Sequence, residues 1–238
     1  MIKGFIGTSL IDYPGQISAV VFTGGCNFAC PFCQNASLVL PEKLQFQPDI
    51  SNIEIISKLQ ARAKFIDGVV ITGGEPSIHG KQLIQFIKDI KQINSCTKSL
   101  LVKLDTNGSN PELLKTLIDE ALIDYVAMDI KAGPKRYQEI THFQDSLKLA
   151  KESIHLLLES RIAYEFRTTV VPTLIDMEEL NRIGEMINGC KLFVLQSFRP
   201  KGVIDPSFEE LTPYPSSFLT EAAQTLGSTF SFLTQIRY

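Results

Sequence analysis

Short apolar segments alternate with amphipathic segments along most of the chain. The apolar segments are rich in Val, Ile, Leu and Phe and are mostly continuous, which is typical of strands buried on both faces. They predict strands over Ile17–Thr23, Gly68–Thr72, Ser99–Asp105, Asp124–Ile130, Ala163–Val171 and Lys191–Gln196. The amphipathic segments predict helices over Asp49–Ala63, Gly80–Ile93, Pro111–Glu120, Asp145–Glu159, Met177–Ile187 and about Ser216–Leu226, before a short terminal strand near Thr229–Thr234.

Repeated strand–helix units predict an α/β fold with a mostly parallel sheet and right-handed crossovers. Six units are too few to close an eight-unit barrel, so we expect a partial (β/α)6 barrel. No repeat, linker or shift in composition divides the chain, and residues 1–238 are expected to form a single domain. The loops that follow the carboxyl ends of the strands are then expected to form the active face.

Composition narrows the classes of protein to which the chain can belong. Of its 238 residues, 44% are hydrophobic and 21% are charged, which excludes a disordered or collagen-like chain. The net charge of -3 gives no basic excess for general nucleic-acid binding. No apolar run is long enough to span a bilayer, and Asp12 and Pro14 interrupt the stretch that a secretory signal would need. We therefore expect a cytoplasmic protein without a nucleic-acid or membrane partner.

Three of the five cysteines lie in one loop, residues 24–35, directly after the first predicted strand. Cys26, Cys30 and Cys33 have the spacing C-x3-C-x2-C. In a reducing compartment, clustered cysteines serve as thiols or metal ligands rather than disulfides. Three thiolates on a short loop can bind three irons of a [4Fe-4S] cluster and leave the fourth iron open for a ligand.

Two other interpretations of these cysteines stay open on spacing alone. A zinc site normally has four Cys or His ligands in paired spacings, and the three histidines follow no such pattern. Cysteines can also be ordinary small apolar side chains, which is what we expect of Cys96 and Cys190. His79 is expected near a helix start rather than as a ligand.

Further polar residues follow the next predicted strands. In the motif T-G-G-E-P, Gly73 and Gly74 allow the backbone to approach a ligand closely, and Glu75 suits an ammonium group. A plain strand-to-helix turn is the alternative. Asp105 and Asp129 end the third and fourth predicted strands, where neighbouring carboxylates repel unless a cation neutralises them.

This second group of residues can also have ordinary local roles. Asp105 or Asn107 can cap a helix, and Lys131 can form an ordinary surface ion pair. Arg167, on the fifth predicted strand, carries a guanidinium that can pair with a carboxylate.

The C-x3-C-x2-C loop resembles that of the radical S-adenosylmethionine (SAM) superfamily, and the resemblance covers nearly the whole chain. It implies that SAM chelates the open iron of a [4Fe-4S] cluster through its amino and carboxylate groups. The G-G-E-P motif, Gly73 to Glu75, is then expected to hold the SAM amino group. The backbone of Phe32 is expected to approach the adenine.

Shorter motifs resemble glycyl-radical-enzyme activases in particular. D-Y-P-G at residues 12–15 resembles their D-G-P-G, with Tyr13 in place of glycine. L-D-T-N-G and A-M-D-I-K resemble the pyruvate formate-lyase activating enzyme, which implies SAM contacts from Asp105, Asn107, Asp129, Lys131 and Arg167. The same resemblance implies a monovalent cation beside the SAM carboxylate, held by Asp105, Thr106, Met128 and Asp129.

The whole set of motifs resembles most closely the activating proteins of anaerobic ribonucleoside-triphosphate reductase. Cysteine is absent between Cys33 and Gly73, so no ferredoxin-like insertion is expected. Pyruvate formate-lyase activases have a His near the sixth strand, and its absence here leaves the roles of Gln196 and Arg199 open. Residues 34–48 are a candidate wall of a groove for the partner.

The function implied by the resemblance is activation of a partner enzyme. The reduced cluster cleaves SAM, and the 5′-deoxyadenosyl radical abstracts a hydrogen from a glycine of the partner, an anaerobic ribonucleotide reductase. No catalytic residue beyond the cluster and SAM is implied, and a reduced flavodoxin- or ferredoxin-type protein is the expected electron donor.

Three other functions stay open on the sequence. The chain can activate another glycyl radical enzyme of the pyruvate formate-lyase type. It can also act on a small molecule, as 7-carboxy-7-deazaguanine synthase does. Finally, it can be an iron-sulfur electron carrier, which cleavage of SAM by the reduced protein would exclude.

Overall fold

The computed structural model describes residues 1–93 and 99–238. Eight strands form one sheet in the order in which they occur along the chain. They are Ile2–Ser9 (β1), Ser18–Thr23 (β2), Gly68–Gly73 (β3), Leu101–Thr106 (β4), Tyr125–Asp129 (β5), Ala163–Val170 (β6), Leu192–Ser197 (β7) and Leu233–Arg237 (β8).

The helices lie mostly between consecutive strands. They are Ala36–Val39 (α1), Pro41–Leu44 (α2), Asn52–Arg62 (α3), Lys81–Lys91 (α4), Pro111–Asp119 (α5), Tyr137–Thr141 (α6), Ser146–Glu159 (α7), Met177–Met186 (α8) and Ser216–Thr229 (α9). Short 3-10 turns lie over Pro76–His79 and Pro206–Glu210.

The α/β class and the mostly parallel sheet are confirmed. Strand β2 pairs in parallel with β3, β3 with β4, β6 with β7, and β7 with β8. All six predicted strands and all six predicted helices are present, with ends that differ by a few residues. The register places Thr23 of β2 opposite Gly73 of β3, so the loops that follow these two strands start side by side.

Strand β1 was not predicted, and it pairs antiparallel with β2. Only Ile2 of its eight residues is fully buried, so the segment lacks the continuous apolar run by which the other strands were found. The terminal strand was predicted too early, near 229–234, because α9 continues to Thr229 and displaces β8 to Leu233. The short helices α1, α2 and α6 were also missed.

Two compact units make up the described chain. The first comprises residues 1–27, 37–106 and 112–126, and the second comprises residues 28–36, 107–111 and 127–238. The prediction of a single domain stays a prediction.

In the first unit, apolar side chains of β2 and β3 form the centre of the core. Val20 and Val70 pack with the ring of Tyr13, which comes from the turn between β1 and β2. Helix α4 contributes its apolar side, on which the fully buried residues follow the helical repeat: Leu83, Phe86, Ile87 and Ile90.

In the second unit, β6 and β7 supply fully buried aromatic side chains such as Phe166 and Phe193. Glu165 of β6 is also fully buried. It accepts two hydrogen bonds of 2.6 Å from the guanidinium of Arg237 on β8. This paired geometry satisfies a charge that would otherwise destabilise the core.

Two further expectations bear on the described residues. Cys190 is buried, as predicted for a structural cysteine, whereas Cys96 lies outside the described residues. None of the described helices combines the length and the apolar character needed to cross a membrane.

Candidate active site

The cysteine loop begins in the first unit, where β2 ends. Gly24 and Gly25 lead to Cys26, and the Gly25 amide donates to the Leu38 carbonyl at 2.7 Å. Nε2 of His79 lies 3.0 Å from the Gly24 carbonyl oxygen. Because a carbonyl only accepts, this nitrogen carries the proton, and burial lowers the pKa of His79, which favours the neutral ring. His79 therefore ends the turn before α4, as predicted, and also braces the cysteine loop.

The T-G-G-E-P loop lies directly against the start of the cysteine loop. The Gly74 amide donates to the Thr23 carbonyl at 2.9 Å, and the Glu75 amide donates to the Gly25 carbonyl at 2.8 Å. A Cβ on Gly73 would lie 2.2 Å from the Thr23 oxygen, and one on Gly74 would lie 2.0 Å from the Gly25 oxygen. The two glycines thus allow one loop to contact the other. The SAM contact predicted for them stays a prediction.

Glu75 is a buried carboxylate with a fixed orientation. Its side chain is 1% exposed. Oε1 accepts hydrogen bonds from the Ser77 amide at 3.0 Å and from the Thr106 hydroxyl at 2.7 Å. These two hydrogen bonds fix the orientation of the carboxylate. Thr106, predicted to bind a cation, is hydrogen bonded to Glu75 in this structure.

Asp105 is paired with a cation from its own strand. The ammonium of Lys103 donates to Oδ1 of Asp105. The two residues are two positions apart on β4, so their side chains leave the strand on the same face. The Lys103 side chain is only 1% exposed and that of Asp105 is 16% exposed, so the pair is partly buried. Sequence analysis missed Lys103, and its signal was a lysine inside an otherwise apolar strand.

The second part of the cysteine loop belongs to the second unit. The Cys33 amide donates to the Cys30 carbonyl at 3.0 Å, which closes a tight turn between the two thiols. Phe32 lies inside this turn and is 5% exposed. The Ala29 amide donates to the carbonyl of Thr141 at the end of α6, which ties the loop to that helix.

Asp129, at the end of β5, lies between two basic side chains. Nε of Arg167 donates to Oδ1 at 2.8 Å, and Nζ of Lys131 donates to Oδ2 at 3.0 Å. Burial alone would raise the pKa of Asp129, but Arg167 and Lys131 together hold it well below its usual range. The structure thus brings together three of the predicted site residues in one charged group.

Lys131 also acts on the two thiols of this unit. Burial raises the pKa of Cys30 to about 11, and the Lys131 ammonium opposes that rise. Burial also raises the pKa of Cys33, against the Asn35 backbone and Lys131. Because metals bind thiolates, a cation beside the thiols favours the form that holds iron. Thiols near a partly buried ammonium fit an anionic iron-sulfur cluster.

Asn107, Gly108 and Met128 have clear structural roles in the second unit. Oδ1 of Asn107 accepts from the Ser109 amide at 2.9 Å, so this side chain shapes the turn after β4. Gly108 has a φ of +73°, and a Cβ there would lie 2.1 Å from Cε of the buried Met128. Asn107 thus shapes a loop turn and does not cap α5, which begins at Pro111, and its SAM contact stays a prediction.

The loop after β7, whose role the sequence left open, contacts the cysteine loop. Nε2 of Gln34 donates to the backbone carbonyl of Arg199 at 2.8 Å. The Arg199 guanidinium donates to the carbonyl of Tyr238 at 2.7 Å. Arg199 therefore connects the cysteine loop to the end of the described chain.

Across residues 1–93 and 99–238, no three or more His, Cys, Asp or Glu side chains are grouped so as to hold a metal ion. Cys26 belongs to the first unit, and Cys30 and Cys33 belong to the second. The assignment of all three to one cluster is supported by their spacing and by the thiol chemistry described above.

Comparison with known proteins gives consistent matches. The sequence profile of the radical SAM superfamily matches residues 20–188 of this chain. A protein of Methanocaldococcus jannaschii, named as a candidate glycyl-radical enzyme activating enzyme, is 33% identical over 90% of this chain and 86% of its own. The 7-carboxy-7-deazaguanine synthase of Thermococcus kodakarensis is 22% identical over 90% of this chain and 84% of its own. The solved structure of TYW1 with a lysine-pyruvate adduct bound is 13% identical, with a TM-score of 0.64 over 90% of this chain and 74% of that one.

The Gly74→Ala variant tests the contact between the two loops. The new methyl group would lie 2.0 Å from the Gly25 oxygen, so the loops must separate. We expect a loss of roughly 1–3 kcal/mol in the free energy of unfolding and a loss of most of the iron bound after reconstitution. Thermal unfolding and iron analysis measure both.

The matched control is Gly227→Ala in α9, where an added Cβ meets nothing within 4 Å. Alanine is the better helix former, so this variant should be neutral or more stable by up to about 1 kcal/mol. Wild-type stability and iron content in Gly74→Ala would contradict the close contact.

The Lys131→Met variant tests the effect of the ammonium on the thiols. With a pKa of about 11, the apo-protein's Cys30 should react with iodoacetamide about tenfold faster for each pH unit between 7 and 9. Removing the ammonium should raise the thiol pKa further, so alkylation at pH 8 should slow by at least about threefold. Chymotrypsin cleaves after Phe28 and Phe32, so mass spectrometry can report on Cys30 and Cys33 separately.

Lys135→Met is the control, because this exposed lysine is not among the charges that act on either thiol. Equal alkylation rates in the two lysine variants would show that Lys131 does not favour the thiolates.

Proposed function

The chain belongs to the radical SAM superfamily, and from this premise we propose that it activates a glycyl radical enzyme. Membership of the family implies a [4Fe-4S] cluster and SAM as cofactors of an oxidoreductase-type enzyme. The observation that carries the proposal is the 33% identity, over 90% of the chain, to a protein named as a candidate activating enzyme of this kind.

The three loop cysteines, Cys26, Cys30 and Cys33, are proposed to hold the cluster. When bound, the cluster and SAM supply one-electron cleavage of the sulfonium and abstraction of a hydrogen atom. The protein's own contribution is to hold and orient these groups. Lys131 stabilises the thiolates of Cys30 and Cys33 electrostatically.

The SAM contacts are proposed from the charges of the side chains in these loops. Glu75 presents a carboxylate, oriented by two neutral donors, to the SAM ammonium. Lys131 and Arg167 supply positive charge for the SAM carboxylate while they neutralise Asp129. Gly73 and Gly74 keep the loop that carries Glu75 against the start of the cysteine loop.

The proposed partner is an anaerobic ribonucleoside-triphosphate reductase. The support is the combination of D-Y-P-G, C-N-F-A-C-P-F-C, L-D-T-N-G and A-M-D-I-K in one short chain. A reduced flavodoxin- or ferredoxin-type protein is the proposed electron donor. The reducing cytoplasm is the proposed compartment, because it keeps cysteines available as metal ligands.

A small-molecule reaction is the second candidate, favoured by the 22% identity to a 7-carboxy-7-deazaguanine synthase over 90% of the chain. The D-Y-P-G segment and the higher identity to the candidate activating enzyme favour the first proposal.

Electron paramagnetic resonance tests the proposal directly. The reconstituted, reduced protein is mixed anaerobically with SAM and with the anaerobic ribonucleotide reductase of the same source. We expect a persistent glycine-centred doublet with the wild type and none with Cys30→Ala. Cys190→Ala is the matched control, because this buried cysteine lies outside the predicted cluster loop and the variant should keep the signal.

Absence of the doublet, with the cluster intact and SAM cleaved, would contradict the proposed partner. Formation of 7-carboxy-7-deazaguanine when the reductase is replaced by the substrate of that synthase would instead support the second candidate.

A further inference from the structure

The resemblance to activases implies a monovalent cation held by Asp105, Thr106, Met128 and Asp129. A carboxylate that is already paired with a protein ammonium or guanidinium attracts a further cation less, because the like charges repel. The charge around the two aspartates therefore decides whether this chain needs the ion.

In the first unit, Asp105 already has a protein cation. The Lys103 ammonium is hydrogen bonded to Oδ1 of Asp105. The Lys103 side chain is 1% exposed and that of Asp105 is 16% exposed, so little water screens the pair. Thr106 directs its hydroxyl hydrogen to Glu75 at 2.7 Å. An alkali ion at Asp105 would have to share this carboxylate with a buried ammonium.

In the second unit, Asp129 has two protein cations. Arg167 binds one of its oxygens and Lys131 binds the other, at 2.8 and 3.0 Å. Both carboxylate oxygens are therefore engaged by basic groups. Within its own unit, each aspartate is therefore already bound by basic groups of the protein, so neither carboxylate fits a further cation.

We propose that this protein binds SAM without a monovalent metal ion, because the Lys103 ammonium takes the place that the ion would have beside Asp105. Lys103 acts as a positioning residue: it neutralises Asp105 and keeps the end of β4 in place. In the second unit, Lys131 and Arg167 supply positive charge for the SAM carboxylate. The proposal rests on the SAM site of the family and not on the identity of the partner enzyme.

The wild-type holoenzyme gives the primary test. Its SAM dissociation constant is measured by equilibrium dialysis in sodium, potassium and choline chloride at equal ionic strength. We expect the three values to agree within threefold, and we expect no sodium or potassium retained by the protein in choline buffer on elemental analysis. A weakening of threefold or more in choline, or one metal ion retained per chain, would overturn the proposal.

Lys103→Met tests the assignment of the ammonium. Asp105 then lacks its cation, so SAM binding should weaken at least tenfold in choline and recover in sodium or potassium chloride. Lys103→Arg keeps the charge and should remain indifferent to the salt. A Lys103→Met variant that stays indifferent to the salt, with SAM affinity like the wild type, would contradict the role of Lys103.

Lys91→Met is the matched control, because Lys91 pairs with Asp124 at 2.5 Å in the same unit but outside the predicted cation site. Its SAM affinity should not depend on the salt. Should Lys103→Met fail to fold, the wild-type and Lys103→Arg measurements still decide the proposal. Neither involves the partner enzyme, so failure here is distinct from failure of the proposed function.

Discussion

The backbone contact between the loop after β2 and the loop after β3 determines the position of Cys26, the first cysteine of the cysteine loop. The loop after β3 lies so close to the loop after β2 that a Cβ on Gly74 would be 2.0 Å from the Gly25 carbonyl oxygen. Only hydrogen fits there, and the Glu75 amide completes the contact by donating to the same oxygen. Because Cys26 directly follows Gly25, this contact fixes the backbone position from which the Cys26 side chain extends. The parallel register of β2 and β3 makes the contact possible.

The second determinant is the distribution of buried charge. Lys131 holds one oxygen of Asp129 and at the same time opposes the rise in thiol pKa that burial causes at Cys30. One ammonium therefore links the ligands expected to hold iron to the carboxylate at the end of β5. Within the first unit, the Lys103 ammonium likewise binds the carboxylate of Asp105. Both carboxylates are partly buried, and the basic partner of each offsets the cost of removing its charge from water.

Much of the fold and the positions of the loop cysteines could be predicted from the sequence. Buried parallel strands are continuous apolar runs, and the C-x3-C-x2-C spacing is contiguous, so both are visible in one chain. Strand β1 was missed because it buries little beyond Ile2. Lys103 was missed because its pairing with Asp105 depends on three-dimensional packing. The position of His79 at a helix start was predicted, but its contact with Gly24 was not, because the two residues are far apart in the sequence. The sequence predicted that the glycines of T-G-G-E-P allow a close approach, and the structure shows such an approach to the end of β2 and the start of the cysteine loop, while the SAM contact stays a prediction.

The central claim is that this chain cleaves SAM by one-electron chemistry. The measurement is the amount of 5′-deoxyadenosine and methionine formed when the reconstituted protein, with its iron content verified, is reduced anaerobically with dithionite in the presence of SAM. The claim predicts equal amounts of the two products from the wild type and neither from Cys30→Ala. An intact, fully reduced cluster that leaves SAM uncleaved would contradict it.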